Sequence, residues 1–243
     1  MSLGEKRQKD LNKKIELLDS DGLSRLPRSF FTRDGITVAR ELLGKILVHE
    51  TKLGVVRGII TEVESYMGEE DKGSHTYGGR RTERTEPMYH IGGTSYVYLI
   101  YGMYSCMNIT TAEEGIPQAV LLRSVVPADE ESGKRMLALR VQETMRKDAR
   151  RREKGGTAGV TENVETIRST YEKRVLKHLA DGPGKLCIAM GISRDDNDCD
   201  MVESDTFYVT EGIAVAENEI QVGKRIGIDY AEEAADFLWR FYL

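Results

Sequence analysis

The stretch TSYVYLIYGMYSCMNITT, from Thr94 to Thr111, holds two runs rich in aromatic and β-branched residues. They cover Thr94 to Ile100 and Met103 to Thr111 and are joined across Tyr101 and Gly102. Such runs around a glycine turn predict an antiparallel hairpin. Working outward, Gln118 to Val126 reads as a further apolar strand, and Lys45 to Glu50 and Val55 to Glu64 as strands around the turn at Gly54. Asp34 is an N-cap for a helix through Leu42 and Leu43, stopped by Gly44. Beyond Pro127 the pattern turns helical, from Lys134 to about Glu153 and from Val164 to about Leu179, with KGGTAGV between them and Pro183 at the start of another helix. The tail RIGIDYAEEAADFLWRFYL is apolar enough to pack back on the core. Strands first and helices later predict an α+β fold: one domain with a curved, largely antiparallel sheet flanked by helices.

A chain of 243 residues buries a sizeable core, and its apolar residues run evenly, which favours one large domain. Residues 1–22 read as a charged arm with a weak stripe of Leu11, Ile15 and Leu18, leaving 23–243 as the domain proper. No apolar run reaches membrane-spanning length, and MSLGEKRQKD is too charged for a secretory signal. The expectation is a soluble, non-secreted monomer, cytoplasmic and nucleoid-associated in a bacterium or nuclear in a eukaryote. Cys106, Cys187 and Cys199 lack metal-ligand spacing and read as packing residues in a reducing compartment. A net charge of −5 speaks against a nucleic-acid partner, yet Lys134 to Lys154 holds nine Lys or Arg against three acids, and Arg80, Arg81 and Arg84 form a second basic group. The first run also fits a plain solvated helix face.

Chemistry concentrates in ITEVESYMGEEDKGSH, Ile60 to His75. Strand alternation puts Ile60, Glu62 and Glu64 on one face, with the two carboxylates about 7 Å apart by the strand rise. A solvated sheet face accounts for the pair as readily as a site does. The loop that follows carries Tyr66, Asp71 and His75, and strand-anchored loops are where sites sit. In a partly apolar setting Glu64 suits a general base. The hairpin adds Tyr96, Tyr98, Tyr101 and Tyr104, although a core would favour residues without a phenol to satisfy. Tyr101 falls at the turn, where a ring is either a stacking wedge or a surface tyrosine.

These residues resemble the alkyladenine (3-methyladenine) DNA glycosylases. The likeness lies in RLPRSFF, ARELLGK, EVESYMGEEDKGSHTYGGRRTERTEPMY, YVYLIYGMYSCMN and AVLLRSVVP, and resumes at GPGKLC, RIGI and WRFY. It covers most of the chain beyond residue 25. The segment 129–180 is longer than the family pattern and reads as a helical insertion.

The resemblance implies a monofunctional enzyme of base excision repair, needing no cofactor or metal. Its partner is double-stranded DNA containing an alkylated or deaminated purine, which it flips out and cleaves from the sugar to leave an abasic site. It implies a hairpin that protrudes for DNA insertion, with Tyr101 as the wedge. Glu64 then resembles the base that activates water, and Arg123 a second holder of that water with main-chain carbonyls near Ile226. Tyr66, His75 and Tyr98 resemble the walls of the base pocket, and Asn108 the residue that rejects the amine of guanine. The His75 backbone N–H resembles the group directed at the six-position of the flipped purine. Flat rings restore part of the stacking lost on extrusion, and tyrosine faces attract a cationic alkylated purine. Glu62 supports Glu64 or the structure. A different class remains open: Glu62, Glu64, Asp71 and His75 as ligands of a divalent metal in a hydrolase. A binding module without chemistry would not need Glu64.

Overall fold

The computed structural model describes residues 12–16, 18, 22–100, 102–155 and 164–243. After a single turn, α1 (Arg28–Phe31), the Asp34 carboxylate accepts from Ile36 N–H and Thr37 N–H and opens α2 (Gly35–Leu42). Gly44 follows at φ +84°, and a Cβ there would meet the Ile213 carbonyl at 2.5 Å. Glycine is required both by the left-handed backbone and by the close approach.

The next strands are β1 (Ile46–Thr51), β2 (Gly54–Tyr66), β3 (Ser95–Ile100), β4 (Tyr104–Thr111) and β5 (Gln118–Pro127). β3 and β4 pair antiparallel as expected, with Tyr96 opposite Asn108 and Tyr98 opposite Cys106. Asp129 caps α3 (Glu130–Gly155) by accepting from Ser132 N–H and Oγ, which starts this helix before Lys134. Then come α4 (Val164–Leu176), α5 (Pro183–Met190), β6 (Phe207–Thr210), β7 (Gln221–Gly223) and β8 (Arg240–Tyr242).

The fold is α+β with a single open antiparallel sheet in the order β3-β4-β5-β2-β1-β6, to which β8 adds beside β2, with β7 beside β8. β2 is the spine. Its first half pairs with β1, its second half with β8, and β5 runs along the other edge. Helices α2, α3 and α5 pack against β2 and β5. The main core joins Leu42, Ile60, Val63, Met107, Leu122, Met136, Leu186 and Phe241. Full burial of each such side chain contributes ~1.5–3 kcal/mol.

Of the charged arm, residues 12–16 are helical, and Ile15 and Leu18 pack on a second cluster around Ile46 and Ile59. Leu11 lies outside the described residues. In the basic run on α3, Lys134 pairs with Glu130, Arg135 with Glu131, Arg146 and Lys147 with Glu143, and Arg140 donates to the Leu179 carbonyl. All three cysteines are free, and Cys106 and Cys187 are buried. Among the described residues no helix is long and apolar enough to cross a membrane.

Candidate active site

β2 carries the carboxylates where its ladder to β5 is irregular. Ile60 lies opposite Val125, Glu62 opposite Ser124 and Val63 opposite Leu122, so Thr61 and Arg123 have no register partner. This local irregularity re-aims side chains next to a cleft. Ile60 accordingly sits in the main core, while Glu62 and Glu64 both reach the Arg123 guanidinium. Arg123 Nε donates to Glu62 Oε1 at 3.0 Å, and Nη1 lies 3.1 Å from Glu64 Oε1. Arg240, on β8, donates to the same Glu62 oxygen at 3.0 Å.

Glu64 is fully buried. Its Oε1 also accepts from Ile226 N–H at 2.8 Å, and Oε2 accepts from the Tyr66 hydroxyl at 2.9 Å. Burial pushes its carboxyl above the ordinary glutamate value, and Arg123, Ile226 N–H and Tyr66 oppose that rise. A carboxylate offers about four acceptor positions. Two partners fall on Oε1 and one on Oε2, which leaves a lone pair of Oε2 for a further donor.

The groups that hold Glu64, namely Tyr66, Arg123 and Ile226, line a cavity of about 530 Å³. Glu64 stands behind this wall. His75, Tyr96, Tyr98, Asn108, Ile228 and Tyr230 complete much of the remaining surface. The His75 and Tyr98 rings meet edge to face with centroids 4.6 Å apart, and His75 Nδ1 lies 3.0 Å from the Tyr96 hydroxyl. Burial and the charges of Arg84 and Arg80 lower the His75 pKa to about 4. Burial raises the hydroxyl pKa values of Tyr66 and Tyr98. Asn108 donates from Nδ2 to the Tyr96 carbonyl at 3.1 Å. The structure thus brings Glu64, Arg123, Tyr66, His75, Tyr98 and Asn108 to one cavity. Tyr101 lies outside the described residues; its neighbour Met103 is exposed.

Two features escaped the sequence reading. Asp71 is no cavity group: it forms a two-point ion pair with Arg225, at 2.5 and 2.7 Å, and both side chains are fully buried. Arg225 also donates to the carbonyls of Ser65 and Ala234. Of the four residues weighed as metal ligands, Asp71 is taken up by Arg225, His75 by Tyr96, and Glu62 and Glu64 share the Arg123 guanidinium. Among the described residues no group of three or more His, Cys, Asp or Glu is placed to hold a metal ion. Second, the tyrosine faces are not reserved for a cationic ligand. The Arg225 guanidinium lies 4.7 Å from the Tyr66 ring centre and that of Arg84 5.2 Å from Tyr98. With Arg84 and Arg123 on the wall, cation–π attraction for an alkylated purine meets opposing charge.

A buried carboxylate behind an aromatic-walled cavity suits hydrolysis at a flat ring system. Comparison with known proteins agrees. A family model for methylpurine-DNA glycosylase matches residues 29–243. A relative from Clostridium perfringens is 43% identical over 220 residues, covering 90% of this chain and 95% of its own. One from Clostridium acetobutylicum is 44% identical over 219 residues, 90% of this chain and 94% of its own. One from Desulfitobacterium hafniense is 42% identical over 221 residues, 91% of this chain and 96% of its own. Each of the three bears the name "Putative 3-methyladenine DNA glycosylase". The chain belongs to the methylpurine-DNA glycosylase family, DNA-repair enzymes that hydrolyse N-glycosidic bonds.

Proposed function

We propose that the chain acts as a monofunctional purine DNA glycosylase on alkylated or deaminated purines flipped out of duplex DNA. The observation that carries this reading is the Glu64 carboxylate, held by Arg123 and Ile226 N–H on Oε1 and by Tyr66 on Oε2, directly behind the wall of an aromatic-lined cavity of about 530 Å³, roomy enough for a flipped purine and a water. A water seated there donates to Oε2. As the bond from C1′ to the purine nitrogen breaks, the water oxygen bonds to C1′, its proton passes to Glu64, and the bonding electrons leave with the purine. The carboxylate also stabilises the positive charge that builds on the sugar. A cationic alkylated purine departs neutral, whereas a neutral purine departs with negative charge and then takes a proton from water.

Tyr66, His75 and Tyr98 enclose the extruded ring and return part of the stacking energy, ~1–3 kcal/mol per base. Asn108 has its carbonyl oxygen free to face the purine edge and sort substituents there. The cavity lining includes no lysine among the described residues, which supports water as nucleophile and no strand-cleaving step through a protein amine. The enzyme works as a monomer without a metal.

The test is a panel of duplex oligonucleotides, each with one 3-methyladenine, 7-methylguanine, hypoxanthine or ethenoadenine, incubated with the protein in EDTA and assayed for abasic sites. Product from one or more lesions is expected. No product in EDTA but product with added Mg²⁺ or Mn²⁺ points to metal-dependent hydrolysis instead, and no product under either condition removes the proposal.

A further inference from the structure

Tyr230 is 68% exposed, yet it lines the cavity. Its backbone is held firmly: Ile228 and Ala231 on either side are buried with Ala234 in a small cluster against which Tyr66 packs. The segment is further fixed through Arg225 on Asp71, which also accepts from Gly73 N–H. The ring thus hangs from a rigid support. Its hydroxyl donates across the mouth to the Gly73 carbonyl at 3.5 Å, the outer limit of a hydrogen bond.

Two other tyrosine hydroxyls on the cavity are occupied. That of Tyr66 donates to Glu64, and that of Tyr96 contacts His75. His75 is not a proton source at neutral pH, since its pKa lies near 4. A neutral purine acquires negative charge as it leaves and gains from any donor near its ring nitrogens or O6, while a cationic purine leaves without that need. Tyr230 stands at the cavity mouth with a hydroxyl whose present partner is weak enough to exchange.

We propose that Tyr230 is a specificity-determining residue, whose hydroxyl leaves the Gly73 carbonyl to donate to an acceptor of the flipped purine and so favours neutral lesions over cationic ones. This rests on the glycosylase reading above. The hydrogen bond offsets charge on the departing base; the proton that finally neutralises it comes from water.

The experiment is single-turnover excision from two duplexes of the same sequence, one with hypoxanthine and one with 7-methylguanine, by the parent protein and by Tyr230→Phe, with melting temperature as a check on the fold. The ratio of the hypoxanthine rate to the 7-methylguanine rate should fall about tenfold, the factor one hydrogen bond supplies. Because the ratio is read within one protein, loss of folded enzyme cannot mimic it. Tyr230→His, which retains a donor, should recover part of the ratio. An unchanged ratio, or an equal fall in both rates, overturns the proposal. A parent protein that excises neither base overturns the glycosylase reading instead.

Discussion

At Glu64 burial opposes ionisation, and Arg123, Ile226 N–H and Tyr66 only partly answer it. The folded state therefore takes a proton at this carboxyl more readily than the unfolded chain does. Between the ordinary glutamate pKa and the raised one, stability falls as pH rises, and above the raised value the full cost stands. Gln fits the same space: its oxygen can accept from Ile226 and Arg123, and its amide can donate to Tyr66. Glu64→Gln should thus be at least as stable as the parent in urea titrations at neutral pH, with the difference shrinking at acid pH. Lesion DNA should bind nearly as before while single-turnover excision drops by about 10² to 10⁴. Retention of more than about a tenth of the rate would rule out the general-base role. Glu62→Gln should lose less, since Glu62 acts through Arg123 and Arg240. The parent rate should fall on the acid side through the raised Glu64 pKa, and His75 should add no limb near 6.5 because it is already neutral there. At this scale the Glu62 and Glu64 pair was legible from alternation alone. That both meet one arginine was not, because Arg123 lies on another strand and is aimed by a register irregularity that β2 does not encode by itself.

Elements with strong local signals were also legible. The Asp34 cap, the Gly44 stop, the turn at Gly54 and the paired runs flanking Tyr101 each follow from chemistry confined to a few neighbours. The tail strands β7 and β8 have three residues each, too few for a period, and they form only because β2 offers an open edge. Asp71 shows the same limit. Within its loop it reads as one acid among several, but the partner that defines it is 154 residues away. Removing its charge leaves the Arg225 cation buried without a counter-charge. Asp71→Asn should destabilise the protein by about 3–5 kcal/mol, measured by urea denaturation. A loss below about 1 kcal/mol would show that the pair is no such anchor. A double change of Asp71 and Arg225 to apolar residues should recover part of the loss.

Across the whole molecule, the net charge of −5 spoke against the DNA substrate that the family implies, because a total says nothing of where cations lie, and Arg84 and Arg123 both line one cavity. The motif combination conveyed the family; composition did not. The same resemblance implies, and we propose, that Tyr101 is a wedge that fills the gap left by the extruded base. Tyr101→Ala should weaken the flipped complex by roughly ten- to a hundredfold, from stacking of about 1–3 kcal/mol, with the larger loss for well-paired lesions. A fluorescent base analogue at the lesion would report this. Unaltered flipping with an unchanged melting temperature would mean that Tyr101 is not the wedge. The Asp71 and Arg225 pair has a kinetic consequence as well. It ties the Gly73 side of the cavity mouth to the Ile226 side through a contact sealed from solvent, so the receptacle stands ready before any base arrives. An enzyme built this way inspects DNA without waiting on its own closure. On the flipping mechanism proposed above, the dwell at each nucleotide is then set by how often the duplex itself opens, and weakly paired damage opens most often.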